Sequence, residues 1–394
     1  MRGSIQKKGK KWYAVVYDGV NPQTGNYVRR WVPAGTRRSD AEKLLADLVK
    51  RSHGGETVVS EKVTLGEYLT KRRLPIQQAR LRATTFDSYR RNIDLHVVPA
   101  LGARPLDRLT VEDIDLFYAK LLMSGRKNKK GDMKGLAPKT VRNIHVMLNK
   151  AMADAHRKGT VVRNVVALAD APSLKARKRG DVKAWDAQQL TVFLDAIRKH
   201  RLHPVFHLSA HTGLRRGELL GLRWGDLDLE AGRLSVRQAL VSIAYEVQLS
   251  DVKTGASRRT IDLDAGTVDV MKAWRIERAE EKGGVQPADS ELVVAKPDGS
   301  WIHPDIFSQI FDRVVAKRDV PTVSLHDLRH THATLLLKAG VPVKVVSERL
   351  GHSNVAFTMS TYQHVLPGMQ AEAAELFAEL LAKPVEDDDA PHDA

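Results

Sequence analysis

The sequence predicts a multidomain protein: a small α+β module (a three-stranded sheet plus one helix), an all-α module, and a larger, mainly helical α+β module. Three observations predict this. Aromatic and β-branched runs cluster before residue 40, capped helical periodicities fill 63–172, and beyond a basic segment at 173–183 helical and strand-like patterns mix.

The first module spans 1–62. Residues 11–18 and 26–33 read as strands separated by Asn21-Pro22-Gln23-Thr24-Gly25, a hairpin signal, and Ser39 is placed to cap a helix that ends before Gly54 and Gly55. Arg29, Arg30, Arg37 and Arg38 lie at or near the second strand, where a sheet face can enter a DNA groove; a purely structural cap is the plainer alternative. In the second module, 63–172, Thr64 begins a helix, 85–93 gives another, and Thr110 with Asp113 makes a capping pattern. Pro138 opens a helix over 138–155 that carries Lys139 and Arg142. Between these helices lies a glycine-rich basic loop, 124–135, with Arg126, Lys127, Lys129 and Lys130. Its composition suits phosphate contacts as well as it suits a solvated turn.

Residues 173–183 bury little apolar surface and read as an extended linker. The third module, 184–383, has helical patterns at 186–200, 203–212, 267–281, 303–317, 326–338 and 342–350 and strand-like runs within 233–262. An acidic tail, 384–394, is expected to be disordered.

The chain has 394 residues, 42% of them hydrophobic, enough for real cores. It has no cysteine, which excludes disulfides, cysteine-type zinc fingers and thiol nucleophiles and suits a reducing cytosol. No signal-peptide or membrane-spanning apolar run is present, so a cytoplasmic protein without membrane contact is expected. The net charge of +16 is segregated: 13 basic against 6 acidic residues in 1–62, 26 against 11 in 63–183, and 24 against 30 thereafter. A long polyanion is the partner such segregation fits, with solvated surface lysines the alternative.

Chemistry concentrates in the third module. Gly213 permits a tight approach, Arg215 stands at a helix start where its fork can share a phosphate with backbone amides, and Glu218 lies on the same helical face. His326 and Arg329, three apart on a helix capped by Ser324, project from one face. His326 with His330, and His203 with His207, also stand at the spacing of helical metal ligands, but neither pair has the intervening glutamate of a zincin. Leu350-Gly351-His352 follows, then Tyr362, the only tyrosine after Tyr245; alone, it reads as a core residue with a satisfied hydroxyl.

Thr212-Gly213-Leu214-Arg215-Arg216-Gly217-Glu218, a lysine in a strand turn, the His326/Arg329 pair, Leu350-Gly351-His352 and a following tyrosine together resemble the tyrosine recombinases, in particular phage-type and integrative-element integrases. The likeness extends to the module order: a sheet-bearing arm-binding domain, a helical, SAM-like core-binding domain and a catalytic domain. It implies that Tyr362 attacks the scissile phosphate to form a 3′-phosphotyrosyl bond, that Arg215, Arg329 and His352 clamp the phosphate, and that His326 accepts the tyrosine proton. Lys253 would protonate the leaving oxygen and Glu218 would support the cluster. It further implies no metal, cofactor or ATP, double-stranded attachment-site DNA as substrate, strand exchange through a Holliday junction in a homotetramer, and a host DNA-bending protein and an excision factor as partners. An apolar stripe of Met369, Ala373, Leu376, Phe377, Leu380 and Leu381 matches the terminal helix that packs on a neighbouring protomer in this family; packing on its own domain is equally open. A type IB topoisomerase, a chromosome-dimer resolving recombinase and a non-catalytic DNA-binding regulator are the alternatives. The sheet-bearing first module speaks against the first two and the full set of six catalytic residue types against the third.

Overall fold

The structure, a computed structural model, describes residues 3–20, 27–53, 63–127, 131–173, 183–251 and 258–362, with 374–375 and 377–378. The chain divides into two compact units, Met1–Ala176 and Arg177–Ala394.

The first unit begins with an antiparallel sheet, β1 (Gly3–Lys8), β2 (Lys11–Val20) and β3 (Tyr27–Gly35), in that spatial order, followed by α1 (Arg38–His53). The outer strand β1 lies in the lysine-rich N-terminal stretch, where charge masks the strand pattern; backbone pairing with β2, from Gly3 opposite Val16 to Lys8 opposite Lys11, establishes it. Ala14 and Val16 face Val32, Leu44 and Leu45 in a small core under α1. Tyr13 and Trp31 meet edge to face at 5.9 Å on the other side of the sheet, with the Lys8 ammonium 6.0 Å from the Trp31 ring. Helix α1 starts one residue before the expected cap Ser39, and Arg38 in its first turn pairs with Glu42 at 3.0 Å.

The helical part comprises α2 (Leu65–Glu67), α3 (Leu74–Gln78), α4 (Ala83–Asn92), α5 (Val98–Leu101), α6 (Val111–Ser124) and α7 (Pro138–Arg157). Tyr68–Arg73 continue α2 into α3 with wider, i→i+5 turns. The Thr64 hydroxyl accepts from the Glu67 amide at 3.2 Å while the Glu67 carboxylate accepts from the Thr64 amide at 3.3 Å, and Thr110 with Asp113 repeats the device at 3.1 Å both ways. On α7, Val141, Ile144, Leu148, Ala151 and Ala155 form the buried stripe that 3.6-residue periodicity dictates. The basic loop between α6 and α7 is structured at its base: β4 (Arg126–Lys127) pairs with β5 (Met133–Lys134).

The second unit contains α8 (Ala187–Ala196), α9 (His203–Thr212) and α10 (Arg216–Leu220), then β6 (Leu227–Asp228), β7 (Arg233–Val236), β8 (Gln238–Ile243), β9 (Glu246–Asp251) and β10 (Arg259–Asp262), and finally α11 (Ala265–Glu281), α12 (Pro304–Val315), α13 (Leu325–Lys338), α14 (Val343–Leu350) and α15 (Val355–Tyr362). Strands β6, β7 and β10 form one sheet in the order β10-β7-β6, and β8 and β9 a separate hairpin. Its core includes Trp185, Phe193 and Phe311, with ring centroids 4.8 Å apart for the first pair and 5.7 Å for the second. Such aromatic pairs contribute ~0.5–1.5 kcal/mol each beyond area burial. A second, smaller core of Ala333, Leu337, Val346, Leu350 and Tyr362 joins α13, α14 and α15. Among the described residues no helix is long and apolar enough to cross a membrane.

Candidate active site

Two glycines in the left-handed region frame the site: Gly213 (φ +62°) caps the C-terminus of α9 and Gly351 (φ +66°) that of α14. A Cβ at Gly213 would stand 2.8 Å from both His332 and Leu350, and one at Gly351 2.7 Å from Arg259 Nη1. Only glycine permits both the backbone conformation and the approach.

The C-terminal end of α14 is held by three arginines from three elements. Arg259 on β10 donates to the carbonyl of Arg349 (2.7 Å), Arg329 on α13 to that of Leu350 (2.7 Å), and Arg215, the residue before α10, to that of Gly351 (2.8 Å). These are consecutive carbonyls at the negative end of a helix, where intrahelical donors run out and cations are favoured. Arg329 also donates to Gly213 O at 2.7 Å, which ties α9's cap to α14's.

Glu218 joins the arginines. Its carboxylate accepts from the Arg215 amide (3.0 Å), the Arg215 guanidinium (2.7 Å) and Arg259 Nη2 (2.9 Å). Burial opposes its ionisation, but Arg259 and Arg215 outweigh that and hold it below the usual carboxylate range. Arg329, 3% exposed, is pushed down to about 9 by burial and by the neighbouring Arg215. Concentrated, partly desolvated positive charge is what a phosphate's non-bridging oxygens would relieve.

Helix α15 carries the nucleophile candidate. Tyr362 is 1% exposed, and burial pushes its hydroxyl up to about 12, with Arg329 acting in the opposite sense. Its Oη lies 2.6 Å from His330 Nδ1. One turn earlier on α15, the buried Thr358 hydroxyl sits 2.7 Å from His352 Nδ1. Burial and the charges of Arg329 and Arg215 depress His352 to about 3, so it is neutral near pH 7; a Thr358 hydroxyl that donates to Nδ1 would leave the ring proton on Nε2, free for a ligand.

Residues 182–368 match the phage integrase family and residues 65–122 the phage integrase N-terminal SAM-like domain, together well over half of the chain. The chain belongs to the phage integrase family. It is 26% identical to a XerC-like tyrosine recombinase of Caldanaerobacter subterraneus subsp. tengcongensis over 95% of this chain and 97% of that protein. It is also 26% identical to the ICEBs1 integrase of Bacillus subtilis over 96% and 100%. Among solved structures it shares its fold with the Tn1549 transposon integrase in complex with transposon right end DNA (TM-score 0.64, 21% identity, 81% of this chain and 100% of that one). A lambda integrase tetramer bound to a Holliday junction gives a TM-score of 0.54 at 18% identity, over 89% and 95%. These likenesses show the tyrosine recombinase fold.

In this integrase-family chain the structure brings together Arg215, Glu218, Arg329, His352 and Tyr362, through the bonds given above. His326 is on α13 with its ring edge-on to His330 at 5.0 Å; the tyrosine hydroxyl's bond is to His330, which spacing alone had associated with metal. The other four-apart pair is engaged otherwise: His207 Nε2 is 3.2 Å from Thr267 Oγ1, and its ring stacks on His211 at 4.0 Å. No group of three or more potential metal ligands occurs among the described residues. Lys253, Lys129, Lys130, the linker core at 174–182 and the acidic tail lie outside the described residues, as does the terminal apolar stripe apart from Phe377. Arg29 and Arg30 are on β3 opposite Tyr17 and Val16, and Lys127 is on β4. Arg37, Arg38, Arg126, Lys139 and Arg142 are exposed; Arg142 is tethered by a 3.2 Å bond to Pro172 O and Arg38 by Glu42.

Sequence reasoning missed Arg259, Thr358 and a brace of Arg349 and His332, and singled out His330 only for its metal-ligand spacing. Arg349 donates to His332 Nε2 (3.2 Å), to Asp262 O (3.0 Å) and to His211 O (3.1 Å), while His332 Nδ1 bonds Ala210 O at 2.9 Å. Arg259 stands within the strand-like run at 233–262, beside Arg258, with nothing in the pattern to say which of the two turns inward.

Proposed function

We propose that this chain is a site-specific DNA integrase that moves a phage or other mobile element by cleaving and rejoining DNA through Tyr362. The observation that carries the reading is a buried tyrosine, hydrogen-bonded to a histidine, on the helix whose Thr358 also holds His352 beside the Arg215 and Arg329 cluster.

Tyr362 Oη attacks the scissile phosphorus while its proton passes to the histidine pair on α13. Arg215, Arg329 and the Nε2–H of His352 stabilise the charge that develops on the non-bridging oxygens. The 5′-oxygen departs with the bonding electrons and takes a proton from Lys253, leaving a 3′-phosphotyrosyl bond and a free 5′-hydroxyl. A 5′-hydroxyl from the partner duplex attacks that bond in the reverse chemistry, so phosphodiester energy is conserved and neither ATP nor a metal takes part. Glu218 and Arg259 hold the clamp.

The domain reading follows: 1–62 binds arm-type sites, 63–172 binds the core site, 173–183 links, 184–383 catalyses, and 384–394 is a tail. The open sheet face with Tyr13, Trp31 and Lys8 supports the first assignment. Basic residues at Arg29, Arg30, Arg37, Arg38, Arg126, Lys127, Lys129, Lys130, Lys139 and Arg142 contact the DNA backbone. The working assembly is a tetramer on two attachment sites in the bacterial cytoplasm, directed by a DNA-bending protein and an excision factor.

The test is recombination between plasmids that carry the DNA flanking the element and its candidate target. The wild type yields joined products and Tyr362→Phe yields none. Equal product from the Tyr362→Phe protein would remove the tyrosine from the reaction.

A further inference from the structure

We infer that His330 is the catalytic base of this site: its Nδ1 takes the proton of Tyr362 directly, and His326 stands behind it. The inference rests on the reading of Tyr362 as nucleophile and reassigns the proton transfer that the family resemblance gives to His326.

The geometry is specific. Tyr362 Oη and His330 Nδ1 are 2.6 Å apart, a short hydrogen bond, and the rings meet at 62° with centroids 5.7 Å apart. Tyr362 is 1% exposed, so bulk water does not reach the hydroxyl and its proton needs a protein acceptor. With the imidazole neutral and its proton on Nε2, Oη–H donates to the Nδ1 lone pair, the orientation from which transfer proceeds. The His326 ring is edge-on at 5.0 Å, one helical turn back along α13, placed to polarise or relieve the imidazolium once it forms. Arg329, between the two histidines in sequence, carries the phosphate charge instead, which separates the proton path from the anion clamp on one helix face.

The step balances. As the Oη–P bond forms from an oxygen lone pair, the Oη–H bond breaks and its proton moves to His330 Nδ1. The P–O5′ bond breaks with its electron pair on O5′, which Lys253 protonates. On rejoining, His330 returns the proton to Oη as the phenol leaves. No oxidant, reductant or further reactant enters.

The experiment measures single-turnover phosphotyrosyl formation on a nicked duplex bearing the core site, using the full chain. His330→Asn keeps an acceptor oxygen near the Nδ1 position but cannot carry the proton. The expected result is DNA binding within a few-fold of wild type and cleavage slower by about a hundredfold or more. Placing difluorotyrosine, a more acidic phenol, at position 362 should then restore at least tenfold in the His330→Asn background and little in wild type, since an acidic nucleophile needs its base less. A purely structural role would not respond to phenol acidity. Should His330→Asn fail to fold, the wild-type protein with 15N-labelled histidine answers the same question: the inference requires an unprotonated, hydrogen-bonded Nδ1 at His330. Wild-type cleavage rates in His330→Asn, equal fluorotyrosine effects in both backgrounds, or a protonated Nδ1 would each overturn it. An adduct absent from the wild type itself would instead remove the reading on which it rests.

Discussion

Arg259 makes one of the costliest single contacts in the catalytic unit. Its side chain is 7% exposed and its partner Glu218 4% exposed, so truncation leaves a buried carboxylate with Arg215 as its remaining cationic partner, one whose guanidinium is itself bound to Gly351 O. Breaking a buried pair from one side costs about 3–5 kcal/mol, well above the ~1 kcal/mol ceiling of an exposed pair. Arg259→Ala should therefore lower the urea midpoint clearly, and Arg259→Lys, which keeps the charge but loses the fork to Glu218 and the Arg349 carbonyl, should slow cleavage tenfold or more while DNA affinity changes only a few-fold. Single-turnover cleavage beside a binding titration checks this; equal losses in binding and cleavage would deny Arg259 a positioning role. Its importance was not legible because its partner is 41 residues away in sequence. Arg215, Arg329, His352 and Tyr362 were legible for the opposite reason: each sits in a local pattern with its own spacing.

At the scale of elements, α9, α13, α14 and α15 are held by histidines that stay neutral. Burial depresses His207 to about 4 and both His332 and His352 to about 3, below the ~6.5 of an unfolded chain. The unfolded state then binds more protons, so this stability is complete above about pH 6.5 and declines as pH falls towards 4 and 3. Asp264, lowered to about 2 despite burial by Thr267 and His211, adds a further loss below about pH 4. Urea unfolding should give a midpoint that is flat from pH 8 to 7 and falls steadily from 6.5 to 4.5; a constant midpoint over that window would contradict the assignment of neutral buried histidines. Most helices were readable from apolar spacing and caps, as Thr64, Thr110 and Pro138 illustrate. A third strand of the first sheet was expected, but its place at β1 was not legible, because its lysines carry no strand signal and its pairing is a backbone property. Helix α15 was not legible either, because an eight-residue helix with both exposed Phe357 and buried Tyr362 offers little periodic pattern.

At the scale of the molecule, the charge segregates by unit: the basic excess lies before residue 184, and the chemistry lies after it. DNA affinity should therefore fall steeply with salt, log Kd rising linearly with log salt, and the slope should shrink by about 1 for each phosphate-contacting arginine or lysine removed, Arg126→Ala and Lys139→Ala among them. A slope unchanged by both substitutions would place the contacts elsewhere. Deleting the chain from Pro367 onward should preserve binding to one core site and weaken the paired complex; wild-type tetramer levels in the truncated protein, measured by light scattering on DNA, would deny the C-terminal stripe a role between protomers. The central claim is that Tyr362 becomes joined to DNA, and the most direct measurement is mass spectrometry of the protein trapped on a nicked core site in chelator. The account predicts one nucleotide-bearing peptide with the 3′-phosphate on Tyr362; a DNA-bound protein without that adduct, or an adduct on another residue, would contradict it.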